Sequence, residues 1–388
     1  MNKLCVAIFY FVFIFFHAVS CETFEGVGIN EGTTANNDSR LHQESRTNIL
    51  YVKKSEKSST SSSSPIYEVV EGVRIVENQT FTDTLTIDSK DWDNAIIRNN
   101  IFMNQSDKGL HISNVHNLLI ENNEFFGMQS NAIKLRDDQK RGTYNVTIKG
   151  NNFHDINDTP ILVGEPNIDT KITNNRFENV ALGMDGNKKH AVYLKGPDFL
   201  VEGNTIVGVR SANGVSARTA GTVRGNLIMN NASDGIKYYS SSRVKGSGML
   251  IIENNVVVNN GHGGITFSSG DGVKIDRAVV RFNTVVNNSR GMWIYENLSS
   301  IDIQIYGNIF IEGNKKYLYL ATQPSLNKDN LTDSSDIGFV DFAEHNFKLT
   351  QSSKARNFVS SIPDVPPYDF SGNPMGSEPF DAGAYQYQ

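Results

Sequence analysis

The sequence predicts an all-β protein built as a parallel β-solenoid of about ten coils. Three observations carry the prediction. A short pattern, Asn-x-(Phe/Ile/Val) with an aliphatic residue three places before the Asn, recurs at Asn100, Asn123, Asn151, Asn175, Asn204, Asn226, Asn255, Asn283 and Asn308, 22 to 29 residues apart. Each copy is followed by a second short strand, often opened by glycine, as in Gly235-Ile236-Lys237-Tyr238 and Gly264-Ile265-Thr266-Phe267. Helical periodicity is absent from this region, and turn residues punctuate it. A coil of this kind cannot bury its inner face alone, so stacking on its neighbours supplies the core. The rival all-β repeat, the propeller, needs blades of ~40–45 residues.

The chain opens on Lys3, an apolar run from Val6 to Phe16 broken only by the Tyr10 hydroxyl, and then Ala18-Val19-Ser20-Cys21. Residues 1–21 read as a secretory signal peptide. Cleavage after Ser20 would leave Cys21 either as a free thiol or, because the four residues also resemble a bacterial lipobox, as the point of a lipid anchor. The expected location is therefore secreted, periplasmic or at the cell surface. Residues 22–65 are polar and end in a serine-rich run from Ser58 to Ser64, too poor in apolar groups to offset their ordering entropy, and are expected to be a flexible tether. The solenoid is placed at 66–322. Residues 323–388 are expected to be a C-terminal extension that packs on the solenoid or caps it.

Composition narrows the function. Among 388 residues, 36 Lys and Arg face 42 Asp and Glu, a formal charge of -6, which argues against a nucleic-acid binder because phosphate favours a cationic partner. Two cysteines, Cys5 and Cys21, cannot make a disulfide framework. The recurrent Asn is expected to form an amide ladder at a turn. Phe102, Phe125, Phe153, Phe177 and Phe310, two residues after it, are expected to stack in the core.

Alternation along the second strand of each coil separates inward pairs, from Leu110/Ile112 to Leu318/Leu320, from the residues facing out. The 18 outward positions from His111 to Ala321 hold five Lys or Arg, five aromatics, one His and no carboxylate. The outward row of the other strand is mixed in sign, as a solvated charge ladder would be. A basic, aromatic stripe on an acidic chain predicts an extended groove for an acidic polysaccharide. Lys134, Arg136, Trp293 and Tyr295 are the expected subsite residues. The expected state is a monomer.

Over residues 66–322 the repeat resembles the right-handed parallel β-helix proteins of the pectin-lyase-like superfamily. Asp369-Phe370-Ser371-Gly372-Asn373-Pro374 with Asp381-Ala382-Gly383-Ala384-Tyr385 is similar to the closing motif of secreted bacterial members, and His345-Asn346-Phe347-Lys348-Leu349 to the segment before it. His190-Ala191-Val192-Tyr193-Leu194 resembles a strand common in such enzymes. The resemblance implies a right-handed β-helix and a function among lyases, hydrolases, epimerases and non-enzymes.

Glycoside hydrolysis ordinarily needs two carboxyl groups across the bond, and the groove rows offer none. Asp137-Asp138 and Gly261-His262-Gly263 are only faintly similar to polygalacturonase motifs, whose companion motifs are missing, so His262 is expected to be a turn residue. β-Elimination instead needs a cation to neutralise the uronate carboxylate, a base for the C5 proton and an acid for the leaving oxygen. Tyr193, Lys195, Arg218, Lys237 and Tyr239 cluster in three consecutive coils, and His190 joins them if its strand begins after it. The expected roles are Arg218 as neutraliser, Lys195 or His190 as base, and Tyr193 or Tyr239 as acid. Asp185 and Asp234 are the candidates for a Ca²⁺ ion, but no cofactor is required by this chemistry. The motifs of Ca²⁺-assisted alginate lyases and of C5-epimerases are absent. The expected function is a lyase for a uronate polysaccharide such as alginate or pectate, against a non-catalytic surface binder or adhesin, a C5-epimerase or a glycoside hydrolase.

Overall fold

A computed structural model describes residues 65–388 except 137–140, 184–187, 241–246, 271, 273–274, 297, 313–316 and 333–336. The expected signal, the tether up to residue 64, Cys21, Asp137, Asp138 and Asp185 lie outside the described residues.

Among the described residues the chain winds through three sheets of twelve, ten and ten strands. The first runs from Glu68–Val70 to Leu326–Lys328, the second from Thr80–Phe81 to Ile309–Glu312, and the third from Leu85–Ile87 to Leu318–Leu320. Each strand pairs in parallel with its equivalent one coil away; Glu68–Val70 instead turns back antiparallel on Val73–Glu77. The result is an all-β parallel solenoid of ten coils. Its first-sheet strand at 326–328 carries the winding beyond residue 322.

The local sequence explains the repeat. Each recurrent Asn sits at the turn between the first and second sheets, and its side-chain amide donates to the Asn carbonyl of the next coil. The ladder runs unbroken from Asn100 through Asn308 and adds one more member, Asn330. The residue before each ladder Asn is in the left-handed region, which is why it is Asn or Gly in eight coils: Asn99, Asn122, Gly150, Asn174, Gly203, Gly225, Asn254 and Gly307. The exceptions are Phe282, at φ 52°, and Asp329 before Asn330, at φ 49°. A second ladder, Asn231 to Asn260 to Asn288, marks the turn into the third sheet.

Inside, Phe81, Phe102, Phe125, Phe153 and Phe177 stack with centroids 4.6–5.0 Å apart. Phe310 is buried but separate from this stack, because Ile206, Ile228, Val257 and Val285 fill the intervening positions. The inward pairs of the third sheet are buried from Leu110/Ile112 to Met292/Ile294; Leu318 and Leu320 are half-buried.

Residues 337–384 lie along the outside of the last coils. Phe347, Val359, Phe380, Ala382 and Ala384 form one buried cluster with outward residues of the second sheet, Val256, Val258, Val286 and Ile309. The closing motif works through its carboxylates: Asp369 accepts backbone N–H groups from Asn373 and Gln386, and Asp381 from Asn357 and Tyr387. A buried charge network fastens the segment. Arg281 binds Glu253 through Nε and Nη2 at 2.8 and 2.7 Å, while its Nη1 reaches Asp364 and the Tyr306 hydroxyl.

Candidate functional site

The outer face of the third sheet carries the stripe. Parallel register sets it in two columns: His111, Lys134, Leu162, Tyr193, Ser216, Lys237, Thr266 and Trp293 in one, and Ser113, Arg136, Gly164, Lys195, Arg218, Tyr239, Ser268 and Tyr295 in the other. Neighbours in a column lie ~4.8 Å apart.

One expectation needs correction at the N-terminal end. The stripe is not free of carboxylates, because the coil of Leu85–Ile87 places Asp88 in the column of Ser113 and Arg136. That coil lacks the Asn motif in its own sequence and so escaped the count. Asp88 lies 3.6 Å from Arg136 and 2.9 Å from Arg141, and accepts a hydrogen bond from the Ser113 hydroxyl at 2.7 Å. Arg136 is therefore partly neutralised. Lys134 lies four strands, ~19 Å, from Lys237. Burial, then the charges of Lys108, Lys134 and Arg136, hold the neighbouring His111 below the usual imidazole range.

Farther along, a cleft of about 580 Å³ opens, lined by His190, Asn213, Arg218, Lys237, Tyr239, His262 and Tyr295 among others. The structure thus brings together His190, Arg218, Lys237, Tyr239 and Tyr295, with Lys195 next to Arg218 in its column. Arg218 is held by aromatic faces, its guanidinium carbon 4.9 Å from the Tyr193 ring and 4.5 Å from the Tyr239 ring. Its Nη1 donates to the Tyr239 carbonyl at 3.0 Å, and its Nε, though buried, has no hydrogen-bond partner among the described residues. Lys195 Nζ stands 5.5 Å from the Tyr193 ring centroid.

The strand after His190 begins at Val192, so the ring reaches the cleft although it is only 4% exposed. Its Nδ1 takes the Asn213 N–H at 3.3 Å, which leaves the proton on Nε2. Burial, then the charges of Arg218 and Lys237, push its pKa down to about 3. The ring is neutral, a donor, and a poor proton acceptor.

A pair of residues absent from the expected site completes the cleft. His262, though it sits in a turn, is bonded to the Asp234 carboxylate. The Asp234 carboxylate is fully buried, and its Oδ1 accepts from His262 Nδ1 at 2.7 Å, Gly263 N at 3.0 Å and Thr266 Oγ1 at 2.6 Å. Oδ2 faces Lys237 Nζ at 3.2 Å. Burial alone would raise the Asp234 pKa; the His262 hydrogen bond and the Lys237 charge outweigh it and hold the carboxyl below its usual range. Asp234 fixes the Nδ1–H tautomer of His262 and leaves Nε2 with a lone pair. The His262 ring is 34% exposed and packs on Trp293 at 5.0 Å. With five donors already on it, the Ser233 hydroxyl at 3.5 Å being the fifth, Asp234 is a poor Ca²⁺ ligand. Among the described residues no group of three His, Cys, Asp or Glu is arranged around a common metal position.

At the far wall Trp293 and Tyr295 stack at 4.1 Å, and the Arg290 guanidinium lies 3.7 Å over the Trp293 ring. Burial, then the Asp234 charge, raises the Tyr295 pKa, so its phenol keeps its proton.

The sequence matches the family described as the right handed beta helix region over residues 43–183 and 139–310. The chain belongs to this family, and its solenoid is a right-handed β-helix. Among solved structures it is similar to XylC in complex with xylose, at 11% identity and TM-score 0.48, over 75% of this chain and 64% of that one. It is similar also to pectate lyase Pel9A, at 14% and 0.47, over 81% and 88%. A third is the A-module of mannuronan C-5 epimerase AlgE4 from Azotobacter vinelandii, at 9% and 0.45, over 67% and 86%. The chain thus spans less than two thirds of the length of XylC, and at these identities the likeness is one of fold. No curated protein matches the sequence.

Proposed function

We propose that the protein is a lyase that cleaves an acidic, uronate-containing polysaccharide such as alginate or pectate by β-elimination. The observation that carries the reading is the meeting, in one cleft, of Arg218 held between two tyrosine rings and a histidine oriented by a buried carboxylate. Arg218, with Lys195 beside it, neutralises the uronate carboxylate as charge builds at C5. His262 Nε2 takes the C5 proton. The electrons of that C–H bond form the C4–C5 double bond as the C4–O bond breaks, and an acid protonates the departing oxygen.

These roles differ from those expected for the base and the acid. His190 cannot easily accept a proton, for the reasons given by its tautomer and burial, and serves instead as a neutral donor to the sugar. Tyr193 and Tyr239 give their ring faces to Arg218, which leaves Tyr295 as the protonated phenol facing the cleft. The protein is proposed to act outside the cytoplasm, with an acidic polysaccharide as its partner.

The test is a panel of alginate, pectate, glucuronan and glycosaminoglycans, read by the ultraviolet absorbance of unsaturated ends. Arg218→Ala should lose about 10²–10³ in rate, and His262→Ala about 10²–10⁴. Binding without unsaturated ends from any polymer would reject the lyase reading in favour of a non-catalytic binder. Exchange of the C5 proton without cleavage would make the protein an epimerase.

A further inference from the structure

A second guanidinium lies over Trp293, whose ring packs on the cleft residues His262 and Tyr295. Arg290 opens the strand Arg290–Ile294, its N–H bonded to the His262 carbonyl at 2.9 Å and its side chain laid over Trp293 at 3.7 Å. Arg218 and Arg290 share three properties. Each is fixed against aromatic rings on the groove face, each has no carboxylate partner among the described residues, and each borders the Asp234–His262 pair. Their strands are three apart in the sheet, ~14 Å; Arg290 starts five residues before Tyr295, the residue in Arg218's column, and its side chain runs back along the strand to Trp293, which stacks on Tyr295.

The floor between them is unfinished. Ser216 Oγ, Arg218 Nε, Ser268 Oγ and Trp293 Nε1 are all buried and have no hydrogen-bond partner among the described residues. All four side chains belong to the two groove columns, within the four strands from Ser216 to Trp293. A buried polar group without a partner loses its hydration with nothing in return, and such groups are rare in folded proteins. Their concentration on this face marks ground to be covered by hydroxyl-rich ligand.

We propose that Arg218 and Arg290 form a two-point gauge for the substrate: Arg218 holds the carboxylate of the reacting sugar, and Arg290 holds a second carboxylate farther along the chain. A pyranose unit advances a polysaccharide by about one coil's rise, ~4.8 Å, so the two carboxylates belong to sugars about three units apart. The inference rests on the proposed uronate substrate and specifies its pattern: an uninterrupted uronate run of at least four sugars, or a repeat that returns a carboxylate at the same interval.

The experiment measures binding of uronate oligomers of two, four and six units, from alginate and from pectate. The readout is the fluorescence of Trp293 in a Trp92→Phe background, checked by calorimetry. The wild type should gain about tenfold or more in affinity between two and four units, where the chain first spans both arginines. Arg290→Ala should bring the ratio of the two dissociation constants toward one. Arg290→Lys, which keeps the charge but not the planar stack on Trp293, should recover only part of that ratio. Arg218→Ala should weaken dimer and tetramer alike. If Arg290→Ala keeps the full length dependence, the gauge is overturned while the lyase reading stands. If the length dependence is present but no unsaturated ends form, the lyase reading falls and the gauge stands. No binding by any uronate oligomer overturns both.

Discussion

Replacing Asp234 by Asn is the most informative single change, because its consequences follow from the two carboxylate oxygens separately. Oδ1 takes three donors, from His262, Gly263 and Thr266, and an amide oxygen could still meet them. The new –NH₂ would then replace Oδ2 and point at the Lys237 ammonium, donor against donor, where a 3.2 Å ion pair had been. Asp234 is fully buried and Lys237 is 23% exposed, so water recovers little of the loss. Leaving a largely buried charge unpaired costs about 3 kcal/mol, or roughly a hundredfold in the folding equilibrium at 1.36 kcal/mol per decade. Urea unfolding of Asp234→Asn measures it directly. The double variant Asp234→Asn/Lys237→Met removes the stranded charge and should recover about 2 kcal/mol, a coupling of the size contacting residues show. Under native conditions Asp234→Asn should also lose at least about a hundredfold in elimination rate, because a neutral amide no longer holds His262 as the oriented base. A variant with wild-type stability and no coupling to Lys237 would refute the ion pair. A stable variant with full rate would refute the role of the Asp234–His262 pair.

Three further outcomes follow from the same geometry. His190 is neutral with a pKa near 3 in the fold against about 6.5 in the unfolded chain, so the unfolded state binds the extra proton between those values. Stability should therefore fall as pH drops from about 6.5 toward 3, with a slope of about 1.4 kcal/mol per unit that His190→Gln lacks in parallel denaturation series. Arg281→Met leaves Glu253 buried at 3% exposure without its main partner; it should cost about 3–5 kcal/mol and make residues 337–384 susceptible to limited proteolysis, read by mass spectrometry. Lys134→Ala, far from the cleft, should weaken polysaccharide binding severalfold at low salt with little change in maximal rate, and the effect should fade at high salt as screening shortens.

Most of the solenoid was legible because its residues obey a period. The Asn ladder, the phenylalanine stack and the inward pairs each depend on one position per coil, and a repeat exposes such positions to simple counting. The groove columns followed from strand alternation for the same reason. What stayed hidden depends on turns. Asp234 and His262 sit in the turns before strands in adjacent coils, 28 residues apart, where alternation says nothing about direction. The signal that could have found them was Gly-His-Gly one coil after an aspartate at the same turn. Asp88 was missed because the coil that carries it has no ladder Asn of its own. The packing of residues 337–384 on the second sheet had a trace in Val256, Val258 and Val286, outward positions too apolar to face water.

Phe282 gives the assembly of the molecule a direction in time. A bulky residue in the left-handed region costs about 1–3 kcal/mol, and here the return is packing against Tyr306 and Phe380. Phe380 stands almost a hundred residues downstream, as do the other partners of this stretch: Asp364 for Arg281, Tyr368 for Asn254 and Ala384 for Thr284, at separations of 83, 114 and 100 residues. Coils up to about residue 226 can close on contacts with their immediate neighbours. Those around 253–286 cannot reach their final state until the closing motif has been synthesised and has come back to cover them. Until then a strip of valines and a buried-type Arg–Glu pair stand open to solvent on a sheet already formed, so the interval between the two events is when self-association competes with folding. The closing motif thus acts as a completion signal, and its loss should be felt as lower yield before it is felt at the cleft.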